Sequence, residues 1–169
     1  MFSGSARSAG GAVIGRRIPD LLQWCLTQVL VSGFHITVLN VGSKEITKAG
    51  SALAGGVARQ GETCGALTGA IMAIGSLIGR ERLEDIEQYR KALEPAGRIY
   101  HLFKEKIGHT LCWEIHKIRY GKVYRLCIPE EGHAFHEMGG HSRKGCPEVC
   151  GIAARIAADV ILDLKEGSK

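Results

Sequence analysis

The residues of this chain with the greatest chemical potential are its six cysteines. They are spread over most of the length instead of clustering as in a small disulfide-rich scaffold, and they are Cys25, Cys64, Cys112, Cys127, Cys146 and Cys150. No secretory signal is recognised ahead of them, so we expect a cytoplasmic protein. In that compartment several thiols serve metal binding or redox chemistry more often than structural disulfides.

Two of these cysteines are predicted to lie at helix N-termini. Cys64 should fall in the first turn of a helix, and Cys146 should lie at or near the N-cap of the last helix. Free backbone N–H groups and the positive end of the helix dipole stabilise a thiolate and lower its pKa. Cys64 and Cys146 are therefore the candidate redox thiolates if no metal is bound. Cys25 lies on the apolar face of a predicted helix, where a cysteine can equally be a packing residue.

A second group of candidates falls within twenty-four residues near the C-terminus: Cys127, His133, His136, His141, Cys146 and Cys150. Cys146 and Cys150 are four residues apart on a helix, so they share a face and could ligate a metal together. The spacing matches no recognised zinc pattern, and His133 and His136 could be solvated loop residues. The remaining histidines are expected to be surface or capping residues: His35, His101, His109 and His116.

The elements that must position these residues are predicted to be helices. Hydrophobic spacing, caps and breakers place them at 18–33, from a Ser43 cap to about Ala54, at 63–78, at 82–107 with a kink or split at Pro95, at 110–118, and from Pro147 onward. Residues 119–145 are predicted to be a long loop, and residues 1–17 a flexible arm. The predicted fold class is all-α, with residues 18–169 forming a single-domain helical bundle.

The segment over residues 63–78 is the most unusual one, because its sixteen residues carry no charge. It is too short and too rich in glycine for a membrane span, so we predict a buried central helix. Small residues recur every four positions, at Gly61, Gly65, Gly69 and Ala73. Such a stripe favours close helix packing. Together with the N-terminal arm, it predicts a homodimer or a subunit of a larger redox complex.

The amino-acid composition excludes several classes of protein. The chain has 169 residues, a formal net charge of +5 and 45% hydrophobic residues, which excludes wholesale disorder and allows a core of its own. Aromatic residues make up only 6%, so we do not expect a nucleic-acid partner, for which aromatic platforms beside basic patches are typical. There is no phosphate-binding loop, convincing dinucleotide fingerprint or hydrolase triad context.

The segment GETCGALTGA, residues 61–70, follows Gly55-Gly56-Val57-Ala58 and resembles the central motif of the C-GCAxxG-C-C family of redox-active proteins. The other cysteines of that pattern also occur in order, at Cys25, Cys112 and Cys146. The resemblance covers roughly residues 20–165. It implies a small helical protein in which Cys25, Cys64, Cys112 and Cys146 converge on one redox or cofactor site.

That family is similar to split-Soret-type cytochromes, which attach haem through CxxCH. This chain has no CxxCH, so covalent haem is not supported. It adds Cys127 and Cys150 to the family pattern and enlarges the loop before Cys146, and these departures favour a bound cluster over a plain dithiol. The expected ligands are Cys25, Cys64, Cys112, Cys146 and Cys150, with Cys127, His133, His136 and His141 as secondary candidates.

Two redox functions remain open from the sequence. One is electron transfer through a cysteine-ligated cofactor, with an iron–sulfur cluster as the first choice and zinc, non-covalent haem or no cofactor as alternatives. The other is thiol–disulfide exchange among the four motif cysteines. A different class, a non-catalytic metal-binding or assembly subunit of a redox complex, is the alternative to both.

Overall fold

A computed structural model describes residue 41 and residues 43–167. Over these residues the chain is helical: α1 is Lys44–Gly50, continued by a 3-10 turn at Ser51–Leu53, and then follow α2 Gly65–Ile78, α3 Ile86–Ile107, α4 Cys112–Tyr120, α5 Pro129–Glu137 and α6 Cys146–Gly167. The described part contains no strand, so the predicted all-α class is confirmed. The predicted arm, the helix over 18–33, Cys25 and His35 lie outside the described residues.

Helices α2, α3 and α6 pack against one another and form the core. Each contributes large side chains that are fully buried, among them Ile74 from α2, Phe103 from α3 and Ile161 from α6. Burial of each such side chain stabilises the fold by roughly 1.5–3 kcal/mol. None of the described helices is long and apolar enough to cross a membrane.

The glycine- and alanine-rich helix α2 begins one residue after Cys64, close to the predicted start. Half of its residues are buried, and these are Gly65, Ala66, Leu67, Gly69, Ala70, Ala73 and Ile74. Gly75 and Ser76 near its C-terminal end are exposed. The small residues of its inner face leave room for the neighbouring helices, but enclosure of α2 on nearly all sides is not confirmed.

Helix α3 differs from its prediction in two ways. It runs from Ile86 to Ile107 without interruption through Pro95, so of the predicted kink or split near Glu94 the split does not occur, while the kink stays a prediction. Its apolar stripe is exposed toward the N-terminal end, where Ile86 is 48% exposed and Leu93 is 51% exposed. Leu83, which was predicted to belong to the helix, lies before it and is 75% exposed. The free-energy cost of the backbone hydrogen bond lost at Pro95 is outweighed by the stabilisation gained where the following turns bury large apolar side chains.

The segment predicted as a long loop contains a helix, so that prediction is wrong. Helix α5 begins at Pro129, carries two glutamates in its first turn and buries Phe135 completely. Proline at the first position and acidic residues near the N-terminus are favourable helix-start signals. The helix has nine residues and a single buried one, so it lacks the repeated apolar stripe by which a helix is recognised in a sequence.

Glycine is required at Gly61, between α1 and α2, where the backbone lies against Trp113 of α4. Gly61 has a φ of +81°, and a Cβ there would collide with the indole ring of Trp113. We predict that Gly61→Ala lowers the free energy of unfolding by about 1–3 kcal/mol, because it adds a clash to a left-handed backbone. Urea denaturation followed by circular dichroism measures the change.

The matched control is Gly97→Ala in α3, where a Cβ meets nothing within 4 Å. It should raise the free energy of unfolding by about 0.5–1 kcal/mol, because alanine restricts the unfolded chain and favours the helix. Equal stabilities for the two variants would contradict this contact between the Gly61 backbone and Trp113.

Candidate functional site

A short antiparallel crossing brings Cys64 and Cys112 together. Thr63 and Leu111 form an isolated β-bridge, in which the Cys64 N–H donates to the Thr110 carbonyl at 2.8 Å and the Cys112 N–H donates to the Glu62 carbonyl at 2.8 Å. Residues next to a bridged pair face the side opposite to that pair. The two cysteines therefore lie on the same side of the crossing, at the starts of α2 and α4.

A left-handed turn packs its backbone against Cys112. Five consecutive residues have φ between +51° and +74°: Gly55, Gly56, Val57, Ala58 and Arg59. A Cβ at Gly56 would lie 2.7 Å from the Cβ of Cys112, so glycine is needed for this approach. A left-handed conformation costs a non-glycine residue about 1–2 kcal/mol. The tertiary packing of this turn must compensate for the cost at three non-glycine positions.

Two further cysteines, Cys146 and Cys150, lie at the start of α6. The Cys146 N–H donates to the Gly140 carbonyl at 2.8 Å, and Arg119 Nη2 of α4 donates to the Lys144 carbonyl at 2.8 Å just before the helix. Cys150 follows one turn later and is buried. The predicted positions of Cys146 at the helix start and of Cys150 on the same face are confirmed.

These four cysteines line a single cavity, which is partly open to solvent. The cavity walls are mostly apolar, formed in part by Ile115, Leu126, Phe135 and Val149, with the imidazoles of His116 and His141 as polar groups. No disulfide joins the cysteines in the described part of the chain. The cavity is thus a shared thiol site built from three segments that are far apart in the sequence.

The remaining candidates lie away from this cavity. Cys127 is exposed and is not among the lining residues. His133 is exposed and pairs with Glu137 at 3.3 Å, while His136 is exposed and lies 3.2 Å, Nδ1 to Nδ1, from the lining residue His141. Within residues 41 and 43–167, no three or more His, Cys, Asp or Glu side chains are grouped so as to hold a metal ion. The metal and cofactor roles assigned from the sequence stay predictions.

The environment of Cys64 corrects the prediction of an activated thiolate there. Cys64 is the N-cap of α2 rather than a residue of its first turn. The N–H groups of Ala66 and Leu67 lower the pKa of its thiol as expected, but burial has the larger effect and raises that pKa overall. At neutral pH Cys64 is therefore a protonated thiol unless a cation compensates its charge.

His116 is the site residue that the sequence interpretation missed, since it was expected at the surface or at a cap. It is fully buried and stacks on Phe135 with the ring centroids 4.8 Å apart. Its Nδ1 accepts from the Tyr124 N–H at 3.4 Å, and its Nε2 lies 3.8 Å from Cys112 Sγ. Burial lowers the pKa of the imidazole. The sequence feature that indicates its position is the four-residue spacing of Cys112 and His116 on one short helix, which places both on the same face.

Tyr120 is a second missed residue, one turn after His116 on α4. Its ring meets that of Phe135 edge-on at 5.5 Å. Burial raises the pKa of the phenol, and the neighbouring Cys146 raises it further. Tyr120 is therefore a neutral phenol beside the first cysteine of α6.

The fold and the cavity define a small helical protein with a cysteine-lined cavity. Residues 25–160 match the family described as "Putative redox-active protein (C_GCAxxG_C_C)", and the chain belongs to that family. Membership supports a general redox role, and it confirms the resemblance drawn from the motif around Cys64. Neither a curated protein nor a solved structure matches the chain.

The five described thiols differ in access, and alkylation of the native reduced chain measures this difference. We predict that iodoacetamide at pH 7.5 modifies the exposed Cys127 first, because Cys112 and Cys150 are buried. Cys64 should gain reactivity only as the pH rises above the ordinary thiol range, since its pKa is raised and the thiol form is unreactive.

Peptide mass spectrometry after timed quenching identifies the modified positions. Cys127→Ser is the control, and it should abolish the fast modification while leaving the slow ones unchanged. Rapid labelling of Cys64 at pH 7.5 would contradict the raised pKa of its thiol.

Proposed function

We propose that this chain is an electron carrier whose cavity cysteines hold an iron–sulfur cluster. The observation that carries the proposal is the convergence of Cys64, Cys112, Cys146 and Cys150 on one apolar cavity. Four thiolate sulfurs are the usual ligand set of such clusters. When bound, a cluster of this kind supplies one-electron transfer without proton-dependent bond changes in the protein.

The chemistry of the donor set fits this group. Burial makes a bare thiolate at Cys64 costly, and a bound cation compensates exactly that charge. The N–H groups of Ala66 and Leu67 lower the pKa of the Cys64 thiol and so favour the thiolate that a cluster requires.

Binding of a cluster requires side chains of the cavity to move. The described donors do not already surround one point, so side chains must turn toward the cavity on binding, or Cys25 must complete the set. The cavity provides room for such a movement because part of it is open. Cys150, one turn beyond Cys146, is the additional ligand that this chain offers.

A second candidate, thiol–disulfide exchange, is favoured by the position of four cysteines, which no disulfide joins to one another, around one cavity. In this chemistry one cavity thiolate attacks a disulfide of a partner molecule and displaces one of its thiolates. A second cavity cysteine then attacks the mixed disulfide and releases the other thiolate. Two electrons pass to the partner, and the two cavity sulfurs end as a disulfide.

Metal and thiol analysis of one anaerobic sample separates these candidates. We predict iron, acid-labile sulfide and a broad visible band in the purified chain. Cys112→Ser should remove the band because it deletes a ligand in the cavity, whereas Cys127→Ser should retain it because Cys127 is exposed and lies outside the cavity lining.

Two other outcomes would contradict the iron–sulfur cluster. A colourless protein whose cavity cysteines become a disulfide on mild oxidation would contradict the cluster and support thiol exchange. A colourless protein containing zinc would contradict both and support the metal-binding or assembly subunit. The homodimer or complex membership stays a prediction, and sedimentation as a monomer at high concentration would contradict the homodimer.

A further inference from the structure

We infer that His116 is a positioning residue that donates its Nε2–H to the sulfur of Cys112 and thereby raises the reduction potential of the cavity site. This inference rests on the proposed redox function of the cavity. It concerns a residue that lies outside the cysteine pattern of the family.

The backbone of Tyr124 determines which nitrogen carries the proton. The Tyr124 N–H points at His116 Nδ1 at 3.4 Å, so Nδ1 must be the acceptor. A neutral imidazole with one accepting nitrogen carries its hydrogen on the other. Nε2 is therefore the N–H group, and Cys112 Sγ lies 3.8 Å from it.

The aromatic surroundings hold the ring in this orientation. His116 stacks on Phe135 with an interplanar angle of 18°, and the rings of Tyr120 and Tyr124 meet it edge-on. The side chain is fully buried, so water does not compete for either nitrogen. A ring enclosed in this way cannot turn its N–H away from the sulfur without breaking the contact with Tyr124.

The direction of the effect follows from charge. A hydrogen bond donated to sulfur stabilises the form in which that sulfur carries more electron density. For a thiol–disulfide couple this is the thiolate, and for a cysteine-ligated cluster it is the reduced cluster. In both cases the reduced form is favoured, so His116 raises the potential whichever chemistry the cavity supports.

Substitution of His116 tests the inference through the midpoint potential. His116→Phe keeps a flat ring for the stack and removes the donor, and we expect roughly a tenfold shift of the redox equilibrium toward the oxidised form, about 30 mV more negative for a two-electron thiol couple. His116→Gln retains both a donor and an acceptor and should keep a potential near the original one. His101→Phe is the control, since His101 is exposed on α3 and lies outside the cavity lining.

The potential is read from the visible band if a cluster is present, and otherwise from thiol labelling in dithiothreitol buffers of known potential. Identical potentials for the original chain, His116→Phe and His116→Gln would overturn the inference. Absence of any reversible couple in the original chain would overturn the proposed function itself, and the inference with it.

Nitrogen NMR of the original chain supplies a test that does not depend on the folding of a variant. We expect the His116 nitrogens to show the Nε2–H tautomer in the reduced protein. A Nδ1–H tautomer would overturn the inference, because Nε2 would then lack the hydrogen that the sulfur accepts.

Discussion

The site depends on one backbone crossing, in which two hydrogen bonds of 2.8 Å join the segments before α2 and α4. Each bond uses the N–H of a cysteine, Cys64 on one segment and Cys112 on the other. These N–H groups belong to residues at helix starts, where backbone donors lack partners within their own helix. The crossing therefore gives partners to two N–H groups that have none within their own helices. The same two bonds hold the Cys64 and Cys112 segments side by side.

The left-handed turn and the core helices follow from that constraint. The chain must reverse tightly between α1 and the crossing, and Gly56 allows the turn to lie directly on Cys112. The core formed by α2, α3 and α6 then fixes the start of α6, which supplies Cys146 and Cys150 to the same cavity. Apolar packing thus holds three cysteine-bearing segments around one cavity.

Much of this arrangement could be predicted from the sequence, because it depends on local signals. Ser43 caps α1 with its side chain as expected, Gly108 ends α3 in a left-handed conformation, and the apolar stripe of α6 is buried at Val149, Ile156 and Val160. These features follow from caps, breakers and helical spacing. That Cys64, Cys112 and Cys146 line one cavity is implied by the family resemblance and not by any of these patterns.

The features that sequence reasoning missed depend on tertiary packing. Nothing near His116 in the sequence shows that Phe135 will stack on it, because Phe135 belongs to a short helix without a repeated apolar stripe. The pKa of Cys64 was assigned the wrong direction for the same reason, since the helix-end effect is local while the burial that outweighs it comes from the packed fold. Leu83 and Leu93 show the converse case, in which an apolar pattern remains exposed.

The central claim is that cysteines from three separate segments share one site, and bridging them with a short bis-alkylating reagent tests it most directly. The reagent is added to the native, metal-stripped, reduced chain, and bridged peptides are identified by mass spectrometry. We expect intramolecular bridges that join the Cys64 or Cys112 peptide to the peptide containing Cys146 and Cys150. Bridges that involve only Cys127, or single additions without any bridge between these segments, would contradict it.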